Sequence, residues 1–291
     1  MKPIDIFELL FLGMLWGGSF LFMRIAAPEF GPVALVAVRV CVATGVLLPF
    51  LLWAGQGASL LEHGPQLLFF GVINSALPFC LFAYATLSLS AGYTAVINAV
   101  APLFTAIVAF VWLGERLNRL AVIGLGIGFG GVVLLVSDKF SFDGGAASIA
   151  IVAGMCASLL YGIAANYIKA NFTGIGSLVL ATGSQLGSSI LLLPLGIWFW
   201  PETMPSTKSW LAVLVLGVAC TGVAYIFFFR LMARLGPSRA ITVTFLVPLA
   251  AMMFGALFLG EVISGTMMVG CSLILLGVAL STGLIGGRRA R

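Results

Sequence analysis

The chain has 291 residues, of which 62% are hydrophobic and only 8% are charged, against roughly 25% charged in a soluble domain. A water-soluble fold of this length has too little polar surface to cover itself, so lipid is the solvent that fits. The net charge of +5 does not point to nucleic acid, because the basic residues sit between apolar runs and form no basic patch.

Apolar runs occur at 5–27, 32–53, 66–87, 91–113, 118–136, 147–169, 175–200, 209–232, 237–260 and 266–286. Each is close to the roughly 20 residues that cross a bilayer. The first is too long for a signal-peptide core, and acidic Asp5 and Glu8 follow its one early basic residue, Lys2; it reads as a span. The links are short and carry breakers: Gly31-Pro32, Gly64-Pro65, Gly114-Glu115, Asp143-Gly144-Gly145, Pro201 and Pro205, Gly236-Pro237. Only a turn near 88–90 divides the third and fourth runs, which predicts a helical hairpin. With the N-terminus inside, the inner segments hold Lys2, Arg116, Arg119, Lys169, Arg230, Arg234, Arg239, Arg288, Arg289 and Arg291. The outer ones hold Arg24, Lys139 and Lys208, which is ten against three. The positive-inside rule then places both termini in the cytoplasm of a bacterial inner membrane.

Residues 95–115 (AVINAVAPLFTAIVAFVWLGE) and 241–261 (ITVTFLVPLAAMMFGALFLGE) align at an offset of 146. Pro102 meets Pro248, Gly114 meets Gly260 and Glu115 meets Glu261; Gly124 with Gly270 and Gly131 with Gly277 extend the match. Trp16-Gly17 with Tyr161-Gly162, and Pro49 with Pro194, follow at 145. The expected fold is therefore an all-α membrane protein of ten transmembrane helices in two five-helix repeats, over 1–139 and 147–287. Five is odd, so the second copy is inverted. Inverted repeats mark secondary transporters, whose substrate site lies near the midplane between the halves.

These features resemble the EamA family of the drug/metabolite transporter superfamily. The resemblance rests on the paired P-x11-G-E segments Pro102–Glu115 and Pro248–Glu261 and on the LWGGSF opening at Leu15–Phe20. It rests also on VRVCVATG with Arg39, and on LIL-LGVAL in the last run. It covers essentially the whole chain, and it is the spacing and duplication together that carry it. It implies a ten-helix carrier with a central cavity, most often an exporter of amino acids, other small metabolites or drugs. YddG-type aromatic amino-acid exporters belong to that family and have aromatic cavities. Trp16, Phe20, Tyr84, Tyr93, Tyr161 and Tyr225 are candidates here, although Ala101 stands before Pro102 where that subgroup would favour a large aromatic.

Pro102 and Pro248 lie mid-span, where each removes a backbone donor and kinks its helix; a cavity-lining hinge and a static bend are both open. Arg39, seven residues after Pro32, is about 10 Å into the membrane. It is either a partner for a substrate carboxylate or a structural cation bonded to helix-end carbonyls. Asn74, Asn98, Asn166 and Gln185 offer amides that either read a polar ligand or join helices; Asn98, one turn before Pro102, points to the cavity. Thr244, its repeat partner, completes the cavity candidates. Glu115 and Glu261 read as interfacial caps for the helices that follow them.

No catalytic residue, metal site or cofactor is expected. His63 is the only histidine, and the five cysteines, Cys41, Cys80, Cys156, Cys220 and Cys271, are single residues in apolar runs that read as small buried side chains. Gly126-Ile-Gly128-Phe-Gly130-Gly131 fits G-x-G-x-x-G, but it lies inside a span with no strand before it and reads as helix packing. The expected partners are a small-molecule substrate and the lipid bilayer, with no nucleic acid, in a monomer or weak homodimer. The function expected is alternating-access export of amino acids or amphipathic drugs. A non-amino-acid exchanger of the nucleotide-sugar type and a channel are the alternatives.

Overall fold

The computed structural model describes residues 3–137, 139–140, 144–235 and 240–284. Lys2, Asp143, Gly236-Pro237, Arg239, Arg288, Arg289 and Arg291 therefore lie outside the described residues, as do the outermost ends of the expected repeats. The helices are α1 (Pro3–Phe30), α2 (Pro32–Trp53), α3 (Gly64–Ser88), α4 (Ala91–Leu113), α5 (Arg119–Ser137), α6 (Ala146–Asn171), α7 (Ser177–Trp198), α8 (Thr207–Met232), α9 (Thr242–Leu259) and α10 (Gly265–Ser281). Among the described residues the first nine are long and apolar enough to cross a membrane; α10 is equally apolar but has 17 residues, about 25 Å at 1.5 Å per residue. There is no strand among the described residues.

The duplication is visible in the contacts. α5 packs along α10 through glycines that bring the backbones together. A Cβ added at Gly124 would lie 2.7 Å from the Gly277 carbonyl oxygen, and one at Gly131 would lie 2.9 Å from that of Gly270. Gly124 and Gly131 are the repeat partners of Gly270 and Gly277, so each contact maps onto the other. As the chain advances along α5 its partner recedes along α10, so the two helices are antiparallel. A two-fold operation relating antiparallel helices has its axis perpendicular to them, here in the membrane plane, and the repeat is inverted. α1 lies on α9 through Gly17, whose added Cβ would sit 2.5 Å from that of Ala250. α6 lies on α4 through Gly162, 2.9 Å from the Phe104 backbone; offsets of 145 (Gly17 to Gly162) and 146 (Phe104 to Ala250) relate the two contacts. α2 crosses α7 where the Thr44 and Ser189 hydroxyls meet at 3.0 Å. Such small-residue contacts replace the hydrophobic drive that lipid does not supply.

Local backbone follows the repeat as well. Gly114 (φ 68°) and Gly260 (φ 65°) end α4 and α9 in the left-handed conformation that glycine adopts without strain. The next amide in each closes a seven-residue turn, Glu115 N to the Ala109 carbonyl at 3.2 Å and Glu261 N to that of Gly255 at 3.1 Å. The capping expectation for Glu261 needs correction. It does not cap the helix that follows it; Ser264 does that, its hydroxyl accepting from Met267 N at 3.1 Å. Glu261 reaches the other repeat, accepting from Ala91 N at 2.8 Å and Gly92 N at 3.4 Å, at the start of α4. Glu115 pairs with Lys169 across to α6.

Two π-helical turns interrupt α3 at Val72–Ala76 and α8 at Val218–Val223, starting 146 residues apart. A π turn leaves carbonyls out of register; in α8 the Thr221 hydroxyl donates to the Leu216 carbonyl at 2.9 Å.

The prolines behave differently from a kink in a continuous helix. α4 is broken at Ala99–Val100, and Pro102 stands in the first turn of the segment Ala101–Leu113. Pro248 is the third residue of Leu246–Leu259, after a 3-10 stretch over Ile241–Phe245. A proline in a first turn sacrifices no helical bond of its own segment, so each marks a restart. The Ile97 carbonyl at the first break accepts from the Ser158 hydroxyl at 3.0 Å. Of the cysteines, Cys220 and Cys271 are buried, whereas Cys156 is exposed; the expectation of burial fails there, because an apolar run does not tell a lipid-facing position from an interior one.

Candidate functional site

A cavity of about 650 Å³ lies between the repeats, within the roughly 300–1,000 Å³ usual for small-molecule sites. It reaches one face only. Glu115, Arg116, Asn118, Lys169, Ser281 and Thr282, at the ends of α4, α6 and α10 and the start of α5, form its mouth. The opposite face is sealed. There Phe30 stands edge-on to Trp200 and Trp210, with ring centroids 5.9 and 5.0 Å away. Glu29 accepts from the Ser206 hydroxyl at 2.9 Å, and Arg24 donates to the Leu87 carbonyl at 2.9 Å, at the end of α3.

The walls pair by the repeat. Asn74 and Cys220 both line the cavity, as do Phe79 and Tyr225, Asn98 and Thr244, and Ala101 and Val247, each pair 146 apart. Trp16 and Tyr161, at 145, face it too, with Phe20, Asn166 and Pro102. Tyr84 is not brought to it: 38% exposed, it looks outward from α3. Pro248 is buried behind the wall, and Tyr93 is buried elsewhere, bonded to the Leu135 carbonyl at 2.8 Å. Asn166 is held as helix glue, donating to the Thr105 and Gly162 carbonyls at 3.0 and 2.8 Å. Phe79, Phe82 and Thr221 also line the cavity and were missed. The signal that finds Phe79 is the offset itself, since it is the partner of Tyr225.

Among the described residues that line the cavity, Arg39 is the only basic side chain away from the mouth, 4% exposed on the wall. Its Nε donates to the Thr221 hydroxyl at 3.0 Å, and the guanidinium lies 3.6 Å over the Phe79 ring. Nη1 meets only the Met23 sulfur, at 3.7 Å. Among the described residues no carboxylate pairs with it, and the ion pairs found are all elsewhere: Lys169 with Glu115, and Arg230 and Arg234 with Asp5 and Glu8. The wall is otherwise aromatic and amide in character. Tyr225 and Asn74 stand on the same wall. Among the described residues no group of three His, Cys, Asp or Glu side chains could hold a metal ion.

A sequence profile of the EamA-like transporter family matches residues 5–137 and again 148–283. The chain belongs to this family. Among its relatives is an uncharacterized transporter, YvbV, of Bacillus subtilis, 25% identical over 94% of this chain and 89% of that one. A probable terminal-alkyne amino-acid exporter of Streptantibioticus cattleyicolor is 23% identical over 94% and 92%. The uncharacterized inner membrane transporter YedA of Escherichia coli is 24% identical over 96% and 91%. A solved crystal structure, 20% identical, shares the fold with a TM-score of 0.68 over 98% of each chain. This EamA-like chain is thus a multi-pass membrane transporter, and the cavity lies between its two family repeats.

Its prolines give a first test. Pro102 and Pro248 have no donor for the carbonyls four residues back, those of Asn98 and Thr244, which both line the cavity. Alanine restores the donor and favours a continuous helix in one repeat only. Pro102→Ala and Pro248→Ala should therefore shift cysteine labelling at the two faces in opposite senses, roughly fivefold for a bond worth about 1 kcal/mol. Parental labelling in both variants would make the breaks static.

Proposed function

We propose that this EamA-like protein is an alternating-access carrier that moves a small amphipathic carboxylate, most simply an amino acid with an apolar side chain, out across a bacterial inner membrane. The observation that carries the reading is the buried Arg39 without a carboxylate partner among the described residues, on the wall of an aromatic, amide-bearing cavity open to one face. A guanidinium in a dry site is a fork for a carboxylate. Phe20, Phe79 and Phe82 would take the apolar part, and Asn74, Asn98, Tyr225 and Thr244 the ammonium and remaining polar atoms. The two units over 1–139 and 147–287 would rock against each other around this site. With both termini cytoplasmic, the mouth at Arg116 and Lys169 faces the cytoplasm, which is the loading state of an exporter. The relative named as a probable amino-acid exporter supports the same substrate class. The reading assigns the site binding and passage of a substrate; among the described residues its lining carries no clustered carboxylates.

The test is uptake into proteoliposomes, comparing phenylalanine with phenylalaninamide and phenethylamine. Saturable transport of the acid alone supports the reading. Equal transport of the two compounds lacking a carboxylate would remove Arg39 from the site.

A further inference from the structure

Four charged residues toward the two membrane faces form two pairs of the repeat. Arg24 and Lys169 are 145 apart, the offset of Trp16 and Tyr161 in the same two helices, α1 and α6. Glu115 and Glu261 are 146 apart, the offset of α4 and α9. Ring contacts fix the register of these helices against α3 and α8. The Trp16 ring lies 5.2 Å from that of Phe228, and the Tyr161 ring 5.9 Å from that of Phe82. Phe82 and Phe228 are 146 apart, so the two are one contact, made once in each half.

At the sealed face, Arg24 and Glu261 hold the two sides of the turn that joins α3 to α4. Arg24 donates to the Thr86 carbonyl and, at 2.9 Å, to that of Leu87, at the end of α3. Glu261 accepts from Ala91 N at 2.8 Å and Gly92 N at 3.4 Å, at the start of α4. Each charge suits the helix end it touches, a cation at carbonyls and an anion at amides. Glu261 also has a seat. The atoms nearest a Cβ added at Gly255 would all be those of the Glu261 side chain. The repeat partner of Gly255 is Ala109, which already carries a Cβ, so the seat is built at this face only. At the open face the repeat partners are joined to each other instead: Lys169 pairs with Glu115, both side chains well exposed.

We propose that Arg24 and Glu261 are the latch of the sealed face, and that opening this face frees both from the α3–α4 turn to pair with each other as Lys169 and Glu115 do now. The proposal rests on the alternating-access reading. In an inverted repeat, the second state gives each half the conformation its partner has in the first. Lys169 then leaves Glu115 for the carbonyls at 232 and 233, the repeat positions of Thr86 and Leu87 at the end of α8. Arg24 and Glu261 meet opposite charge in both states, so release gives up one favourable set of contacts and supplies another. The exchange is unequal. Charge-assisted hydrogen bonds at half-buried helix ends outweigh an exposed ion pair, so the latch favours the sealed state.

Cysteine labelling in the cavity reads the latch without a known substrate. Ala101→Cys is placed on the cavity wall in a variant lacking the five native cysteines. A neutral glycosyl methanethiosulfonate, which does not cross the membrane and is indifferent to charge, is applied from each face of oriented vesicles. Arg24→Met and Glu261→Met should each raise the labelling rate from the sealed face roughly tenfold, as expected for losing hydrogen bonds to a charged group, with labelling from the Lys169 face retained. Lys169→Met should lower the sealed-face rate, because it weakens the opposite closure. Arg24→Glu with Glu261→Arg separates a latch from an ordinary ion pair. It keeps two charges that can pair when the face is open, but sets a carboxylate against carbonyls and a guanidinium against amides when it is sealed. Its sealed-face rate should exceed that of either single variant. If Glu261→Met does not accumulate as folded protein, Gly255→Ala displaces the carboxylate with its charge kept and should give the same rise. A sealed-face rate that is measurable in the parent and unchanged in the single variants, or a double reversal that restores the parental rate, overturns the proposal and leaves the carrier standing. No labelling from the sealed face in the parent or any variant, with or without excess phenylalanine, overturns the carrier reading itself.

Discussion

Arg39→Met is expected to abolish carboxylate transport and to raise, not lower, the thermal stability of the substrate-free protein. The guanidinium is 4% exposed and has one hydroxyl, one thioether and one aromatic face as neighbours. A buried ion without a counter-charge costs several kcal/mol after relaxation, and a desolvated cation–π contact returns only about 2 kcal/mol. Methionine keeps an unbranched apolar stem and removes the charge. Two hydrogen bonds from Arg39 to a carboxylate, at roughly 1.5–3 kcal/mol each, make the loss in transport efficiency at least on the order of a hundredfold. Uptake assays and melting curves on the same preparation check both parts. A structural arginine gives the opposite pattern: a lower melting temperature, with transport reduced only as folded protein is lost.

Gly277→Leu is expected to prevent accumulation of folded protein, while Gly126→Leu leaves it intact. Both glycines lie in the α5–α10 layer, but their surroundings differ. A Cβ at Gly277 would stand 2.5 Å from the Gly124 carbonyl oxygen and 2.5 Å from the Gly128 Cα, both backbone atoms that no rotamer change can move. Forcing the helices apart would break their contact at Gly131 and Gly270 as well, so the cost exceeds the roughly 1–3 kcal/mol of ordinary overpacking. Nothing lies within 4 Å of a Cβ at Gly126, where leucine gains up to about 1 kcal/mol of helix propensity over glycine. Gel-filtration profiles of fluorescent fusions report both outcomes. A monodisperse Gly277→Leu would mean that the α5–α10 contact is not part of the folded core.

The spans and the repeat were legible because both rest on one-dimensional signals: apolar length, and residue identities at a fixed offset. Arg39 and Asn98 stood out as polar side chains inside apolar runs, and Tyr225 through the resemblance to carriers with aromatic cavities. What hydropathy does not encode is facing. Lipid and protein interior are equally apolar, so Tyr84 on the outer surface and Tyr161 on the cavity wall look alike along the chain. The π turns leave no residue signature, since Pro78 follows the first and Ala224 holds the matching place after the second. The bond from Glu261 to the start of α4 was hidden for another reason: a carboxylate at a helix end suggests a cap but not which helix it reaches. Proline identity announced an irregularity but not its form. The restart at Pro102 depends on the Ser158 hydroxyl reaching the Ile97 carbonyl from another span.

Counterflow is the most direct measurement of the central claim, that one cavity is offered alternately to the two faces. Proteoliposomes are loaded with unlabelled phenylalanine, diluted, and given trace labelled phenylalanine outside. A carrier returns each time with outside substrate bound, so label should rise transiently above its equilibrium level and then decay as the unlabelled pool runs down. Arg39→Met should abolish the overshoot. Label that climbs to equilibrium without an overshoot, at a rate linear in concentration, would describe an open pathway and contradict the account.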